Sequence, residues 1–230
     1  FFYVLNEGII LRQGYNYMKV NYLAPLLCIG VLALTGCNDP KKPSESNFKE
    51  AAQQYLDTVY PACYIKANFP YKTDGFNINN MPEILHAMAE KGLLTETELS
   101  RKHIDATWGI KERDIVVNSY DLTEEGKKYY KQDAAKNMRG ENLGGFCFGK
   151  ATVTDVSNFT EPSDAMGQKI SRVTFTYKVS DIPDWAKSPE ILNADRQIKK
   201  DVNSEHDGVK VTNVFLLTNN GWIHQKLFGK

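Results

Sequence analysis

The sequence predicts an α+β fold: an N-terminal helical part followed by an antiparallel four-stranded sheet backed by helix. Two observations carry that expectation. In the first part apolar residues recur at helical spacing, as in Phe48, Ala51, Ala52, Tyr55, Leu56 and Val59. From Phe146 onward the period becomes two, clearest in Val173, Phe175, Tyr177 and Val179, with Arg172, Thr174, Thr176 and Lys178 facing the other way. A Gly- and Asn-rich stretch at 137–145 marks the change, which places the helical part, with a small hairpin, at 48–140 and the sheet with its covering helix at 146–230.

Each element has its own signals. Asn47-Phe48-Lys49-Glu50 has the form of a capping box, and the helix it opens runs to Pro61. Residues 62–69 alternate as a short strand carrying Cys63. Asn80-Met81-Pro82-Glu83 is a second capping box, Ile84, Leu85, Met88 and Leu93 supply the apolar side, and Gly92 is the expected C-cap. Thr95 and Glu98 predict the start of a third short helix reaching His103. Residues 114–118 and 120–122 read as short strands, and 123–132 as a turn and further helix.

The sheet begins with Phe148, Ala151, Val153 and Val156, continues through the alternation at 173–179, and has a third run at 209–217. Asn219-Asn220-Gly221 is a tight-turn signal into a last strand at 222–227. Between the second and third strands, Trp185, Ile191, Leu192, Ile198 and Val202 mark one or two covering helices, broken near Pro189.

The first forty residues carry a different kind of information. Met18-Lys19 is a short basic start, and residues 22–34 are apolar apart from Pro25 and Gly30. That run is about a dozen residues, whereas a helix crossing a bilayer core needs ~20. Leu34-Thr35-Gly36-Cys37 follows, and then the polar Asn38-Asp39-Pro40-Lys41-Lys42. This order of basic start, apolar core, small residues, Cys and polar tether resembles the signal peptide and lipobox of bacterial lipoproteins.

The resemblance implies that 18–36 is a signal peptide removed on export, that Cys37 becomes the acylated N-terminus, and that the chain is held to a membrane by that lipid, facing the periplasm. Residues 1–17 contain no Met and read as an upstream or mis-called extension. Residues 37–47 read as a tether. Sorting in such proteins depends on the residues just after the acylated Cys; Asn38 there in place of Asp leans to the outer over the inner membrane, while Asp39 one further leaves the signal divided. The competing reading is an uncleaved apolar helix with an ordinary thiol at Cys37.

With Arg12, Lys19 and Glu7 removed from the 28 basic and 28 acidic residues, the mature chain has a charge of about −1. Such a balance gives no electrostatic reason to bind nucleic acid or an anionic membrane surface, so membrane attachment is expected to come from the lipid. Of four cysteines, Cys28 leaves with the signal peptide and Cys37 takes lipid, so Cys63 and Cys147 are expected to pair in an oxidising compartment. The alternative makes Cys147, within Gly144-Gly145-Phe146-Cys147-Phe148-Gly149, a thiolate nucleophile, for which no histidine stands in a recognisable catalytic context.

In the middle region, Ile84 to Leu94 ends in Gly92-Leu93-Leu94, and Leu122-Thr123-Glu124-Glu125-Gly126 follows after the short strands. Over about residues 80–130 this phrasing resembles winged-helix domains and implies a helix-turn-helix core with a small hairpin. Glu90, Glu96, Glu98 and Glu112 interrupt any basic stripe, so a packing or protein-contact module is expected there and no nucleic acid.

The search for chemistry returns little. No HExxH, CxxC, GxGxxG, Walker, GxSxG or calcium-loop pattern occurs, and no catalytic residue, metal site or cofactor is expected. His86, His103, His206 and His224 read as surface or core-edge residues, and Asp181 and Asp184 as turn residues. Trp108, Trp185 and Trp222 are candidate interface anchors, set against the alternative that they fill the core. The expectation is a non-enzymatic envelope lipoprotein that binds or scaffolds an envelope protein partner or polymer. The alternative is an envelope hydrolase, or a hydrolase inhibitor, acting on peptidoglycan or a periplasmic protein.

Overall fold

The first helix, α1 (Glu45–Val59), starts earlier than the capping box at Asn47 predicts. Ser44 is the N-cap and accepts from the Asn47 amide at 3.4 Å. The Asn47 side chain turns back along the incoming chain, its Nδ2 donating to the carbonyls of Asp39 and Lys42, both at 2.8 Å. The computed structural model describes residues 39–74, 80–109, 111–165 and 167–229. The expected extension at 1–17, the signal peptide at 18–36 and Cys37 lie outside them. All elements below belong to one unit, Asn38–Lys230.

After α1 come β1 (Ala62–Tyr64), β2 (Tyr71–Lys72) and α2 (Met81–Glu90), then β3 (Leu94–Ile104), β4 (Arg113–Leu122) and α3 (Glu124–Tyr129). The chain continues through β5 (Tyr130–Lys136), β6 (Asn142–Phe148), β7 (Lys150–Phe159), β8 (Ser163–Ala165) and β9 (Gln168–Ser180). It ends with α4 (Pro189–Ala194), α5 (Arg196–Asp207), β10 (Val209–Thr218) and β11 (Gly221–His224).

The strands form three antiparallel sheets, ordered β1-β6-β5, β2-β4-β3 and β11-β10-β9-β7, with β8 added on β9. The four-strand path of the last sheet is the one the period-two pattern predicts. Its inward residues Val173, Phe175, Tyr177 and Val179 are all buried.

Three more local expectations are corrected. The helix expected from Thr95 to His103 is β3, whose residues pair with β4 from Leu94↔Leu122 to Ile104↔Arg113. A Thr-x-x-Glu start costs little to abandon when each Thr and Glu alternates across a hairpin and the backbone bonds are supplied by the neighbouring strand. The two short strands expected beside it are one strand, β4. Asn80 makes no side-chain cap; its backbone is left-handed, φ 53°, before Pro82 in the first turn of α2. Gly92 does terminate α2, with φ +74° and its amide on the Ala89 carbonyl at 2.9 Å.

The Gly-Leu-Leu and Leu-Thr-x-x-Gly phrases prove to be two sides of one contact. Thr123 caps α3 by accepting from the Gly126 amide at 3.0 Å, and its hydroxyl lies 2.7 Å from the Gly92 carbonyl. Gly126 sits so close to Leu93 that a Cβ would be 2.0 Å from the Leu93 carbonyl oxygen.

Two cores result, and neither follows the division at 140/146. Phe48, Ala51, Ala52 and Leu56 of α1 pack on Val153, Val173, Phe175, Phe215 and Trp222 of the last sheet. The other core joins Ile84, Leu85 and Met88 of α2 to Phe146, Phe148, Trp185, Ile191 and Ile198. The Gly-rich stretch therefore lies within a sheet. Gly144 is required because the Tyr130 ring passes over it, with Oη 1.8 Å from where a Cβ would stand, on its way to the Ala67 carbonyl at 3.0 Å. Cys63 and Cys147 face one another across β1 and β6 with their sulfurs bonded.

Candidate functional site

The end of α1, β1, the start of α2, α5 and the inner face of β9–β10 enclose a cleft of about 710 Å³. Its aromatic surface comes from Tyr55, Tyr60, Tyr64 and Tyr177, and its polar surface includes Gln197 and Asn213. Tyr177 arrives there because the alternation of β9 turns it inward, and Tyr64 because β1 is pinned beside β6.

Beneath these rings lies Asp201, fully buried on α5. Tyr64 Oη donates to its Oδ2 at 2.6 Å, and Gln197 Nε2 donates to Oδ1 at 3.0 Å. Among the described residues no cation lies within ion-pair distance of it. Burial, with the Asp201 charge behind it, drives the Tyr60 and Tyr64 hydroxyls far above the ordinary phenol range. The phenols are thus neutral hydrogen-bond donors at any physiological pH.

Lys66, Lys200 and Lys226 stand at the rim. The Lys226 ammonium lies 5.9 Å from the Tyr55 ring centre, and Tyr55 is in turn stacked on His224 at 3.6 Å. Asp195, also at the rim, is occupied in capping α5 through the Gln197 and Ile198 amides. The lining has flat apolar faces, amides and ammonium groups. It offers no nucleophile with a base: Cys63 is in the disulfide, and no histidine borders the cleft.

A second cluster lies where α2 meets β3–β4, bordering a shallower depression of about 600 Å³. His86 Nδ1 is 2.7 Å from Glu96 Oε2, while Glu96 Oε1 accepts from Tyr120 Oη and Asn118 Nδ2, both at 2.6 Å. Partial burial alone would raise Glu96, but the hydrogen bonds from Tyr120 and His86 outweigh it and hold the carboxyl below its usual range. The same Glu96 bond raises His86, and Tyr120 is pushed up to about 12 by burial and by donating to Glu96. Both Glu96 oxygens are engaged, so the cluster reads first as a clasp between helix and hairpin.

The three candidate tryptophans separate. Trp185 is buried among Tyr129, Phe146 and Phe148, and Trp222 against Phe48 with its Nε1 donating to the Lys41 carbonyl at 3.1 Å. Neither is an exposed anchor, because each fills a core. Trp108, at the turn of β3–β4, is fully exposed at 103 %. Of the histidines, His86 and His103 are exposed in ion-pair clusters and His224 is buried. Among the described residues no group of three His, Cys, Asp or Glu could hold a metal, and no helix is long and apolar enough to cross a membrane.

The cleft was not evident in the sequence, since its parts come from Tyr55 to Lys226. One signal was available: Asp201 falls on the same helical stripe as Ile198, where an acid interrupts an inward face. Comparison with protein families, with curated proteins and with solved structures finds no match.

Proposed function

We propose that the chain is a bacterial envelope lipoprotein, anchored through an acylated Cys37 and facing the periplasm, whose domain binds an envelope protein or polymer without transforming it. The observation that supports binding is the tyrosine-lined cleft, concave and mixed in polarity, with donors fixed in their neutral form and no nucleophile–base pair. The lipid address rests on the order of features from Met18 to Cys37, and the outer membrane is preferred because Asn38 follows Cys37. The helix-turn-helix that the winged-helix resemblance implied does not form, because α2 leads into the strand β3; α2, the β3–β4 hairpin and α3 we read as a packing and contact module.

The test is in-cell photo-crosslinking from position 59, where Val59 borders the cleft and is part exposed, with Cys37→Ser as the mislocalised control. One discrete adduct that disappears in Cys37→Ser is the expected result; no adduct in either strain refutes cleft binding. Intact mass tests the anchor separately, since a chain beginning at Cys37 with acyl mass is required.

The hydrolase alternative is favoured by one observation, the His86–Glu96 pair beside an open depression. Release of soluble fragments from peptidoglycan by the purified protein, abolished in His86→Ala, would establish it in place of the binding role.

A further inference from the structure

The β3–β4 hairpin has two unlike faces. β2 supports it only at Ser119 and Tyr120, so from Ser100↔Val117 outward the two strands pair with each other alone. A bulge between Glu98 and Ser100 brings Glu98 and Arg101 to one face, where Arg101 bonds Glu98 at 2.6 Å and Asp114 at 3.0 Å. His103 completes that face, 2.8 Å from Asp114 and within 3.5 Å of Asp105 and 3.4 Å of Glu112. Four carboxylates meet one guanidinium and one imidazole there, so this side carries the acidic charge of the arm.

The opposite face is set by the pairs Lys102↔Ile115 and Ile104↔Arg113. It joins branched aliphatic side chains to two cations, neither of which has a carboxylate within ion-pair distance among the described residues. At its end the turn presents the fully exposed indole of Trp108, followed by Gly109 at φ +84°, where a Cβ would meet no atom within 4 Å.

A two-stranded ribbon with both faces in water is marginal by itself. Addition of a further strand at the β3 edge is opposed by its charged side chains and its bulge. Contact is left to the face and the tip. Unpaired Lys and Arg are drawn to anionic headgroups, indoles settle at the lipid–water boundary, and aliphatic side chains gain by burial just beneath it.

We propose that the β3–β4 arm is a second membrane contact, which lays the Lys102, Ile104, Arg113 and Ile115 face and the Trp108 tip against an anionic lipid surface. It takes from the reading above only that the domain works beside a membrane, and requires neither acylation of Cys37 nor occupancy of the cleft.

The experiment uses the unlipidated chain from Asn38, which holds both cores and the disulfide, with phosphatidylglycerol vesicles carrying brominated acyl chains. Trp185 and Trp222 are only 7 % and 4 % exposed, so quenching by those chains reports on Trp108 and the other two report that the fold is intact. Quenching in anionic vesicles, its loss in Trp108→Ala, and a partition about thirtyfold weaker in Lys102→Gln/Arg113→Gln are expected. No quenching at low ionic strength overturns the proposal, as does quenching that persists in Trp108→Ala or is indifferent to the two neutralised cations. Trp108-dependent self-association, or a crosslink from position 108 to a protein, without quenching would assign the arm to a protein contact and overturn the lipid one. None of these outcomes depends on the crosslink from position 59, so the two readings fail separately.

Discussion

His224 shows how one buried ring links acidity to folding. Its Nδ1 accepts the Lys226 amide at 3.1 Å, which places the proton of the neutral ring on Nε2, and Nε2 has no hydrogen-bond partner among the described residues. Burial first, and then the Lys226 charge, lowers the ring from 6.5 to about 4. Between those values the unfolded chain binds the proton and the folded one resists it. The stability is therefore complete above about pH 6.5 and declines as pH falls toward the folded value. The expected loss is about 2–3 kcal/mol beyond that of His224→Phe, which keeps the stack on Tyr55, measured by chemical denaturation at neutral pH and near pH 4. Equal losses in the two proteins would show that His224 is not the group responsible. Tyr64→Phe makes a second residue-scale prediction. It removes a hydroxyl from a buried carboxylate and should cost about 2–3 kcal/mol in urea, with Asp201→Asn added on top restoring part of it.

At the scale of elements, the sequence was legible where one rule dominated. In α1 and β9 a single periodicity sorts inward from outward residues, and burial follows it through Phe48, Ala52 and Leu56 and through Val173 to Val179. It misled where a local signal competed with a distant partner. Thr95-x-x-Glu98 resembles a helix start, but the alternation Thr95, Glu96, Thr97, Glu98 was the truer sign, and only pairing with β4 decides between them. Gly126 tests how tightly α3 is held. Because a Cβ there meets the Leu93 carbonyl, a backbone atom that cannot rotate away, Gly126→Ala should destabilise by about 1–3 kcal/mol despite the better helix propensity of alanine. Thermal melts of that variant beside the parent protein check it, and an unchanged midpoint would mean that α3 shifts to make room for the methyl group.

At the scale of the molecule, the division into a helical half and a sheet half dissolves because α1 covers the last sheet while β6 joins the first core. Period-two and helical patterns identify faces but not their mates, so which helix lies on which sheet could not be read. The pairing of Cys63 with Cys147 was read through the lipoprotein resemblance, which sets Cys28 and Cys37 aside, and the structure places the two opposite one another with a sequence separation of 84. Closing a loop of that length should contribute about 4 kcal/mol. Cys63→Ser/Cys147→Ser should accordingly unfold at much lower denaturant than the oxidised protein, while an unchanged midpoint would mean that the β1–β6 pairing already constrains the unfolded chain.

The clasp of Asn47 on Asp39 and Lys42, together with the Trp222 bond to Lys41, changes what an anchor at Cys37 would mean mechanically. A free segment at 37–47 would behave as a flexible leash, with a reach set by chain statistics. With the backbone fastened from Asp39 onward, the slack shrinks to two residue steps, roughly 7 Å. An acylated domain on so short a leash cannot range into the periplasm in search of a partner. It would patrol a plane, meeting in two dimensions only what comes to the membrane.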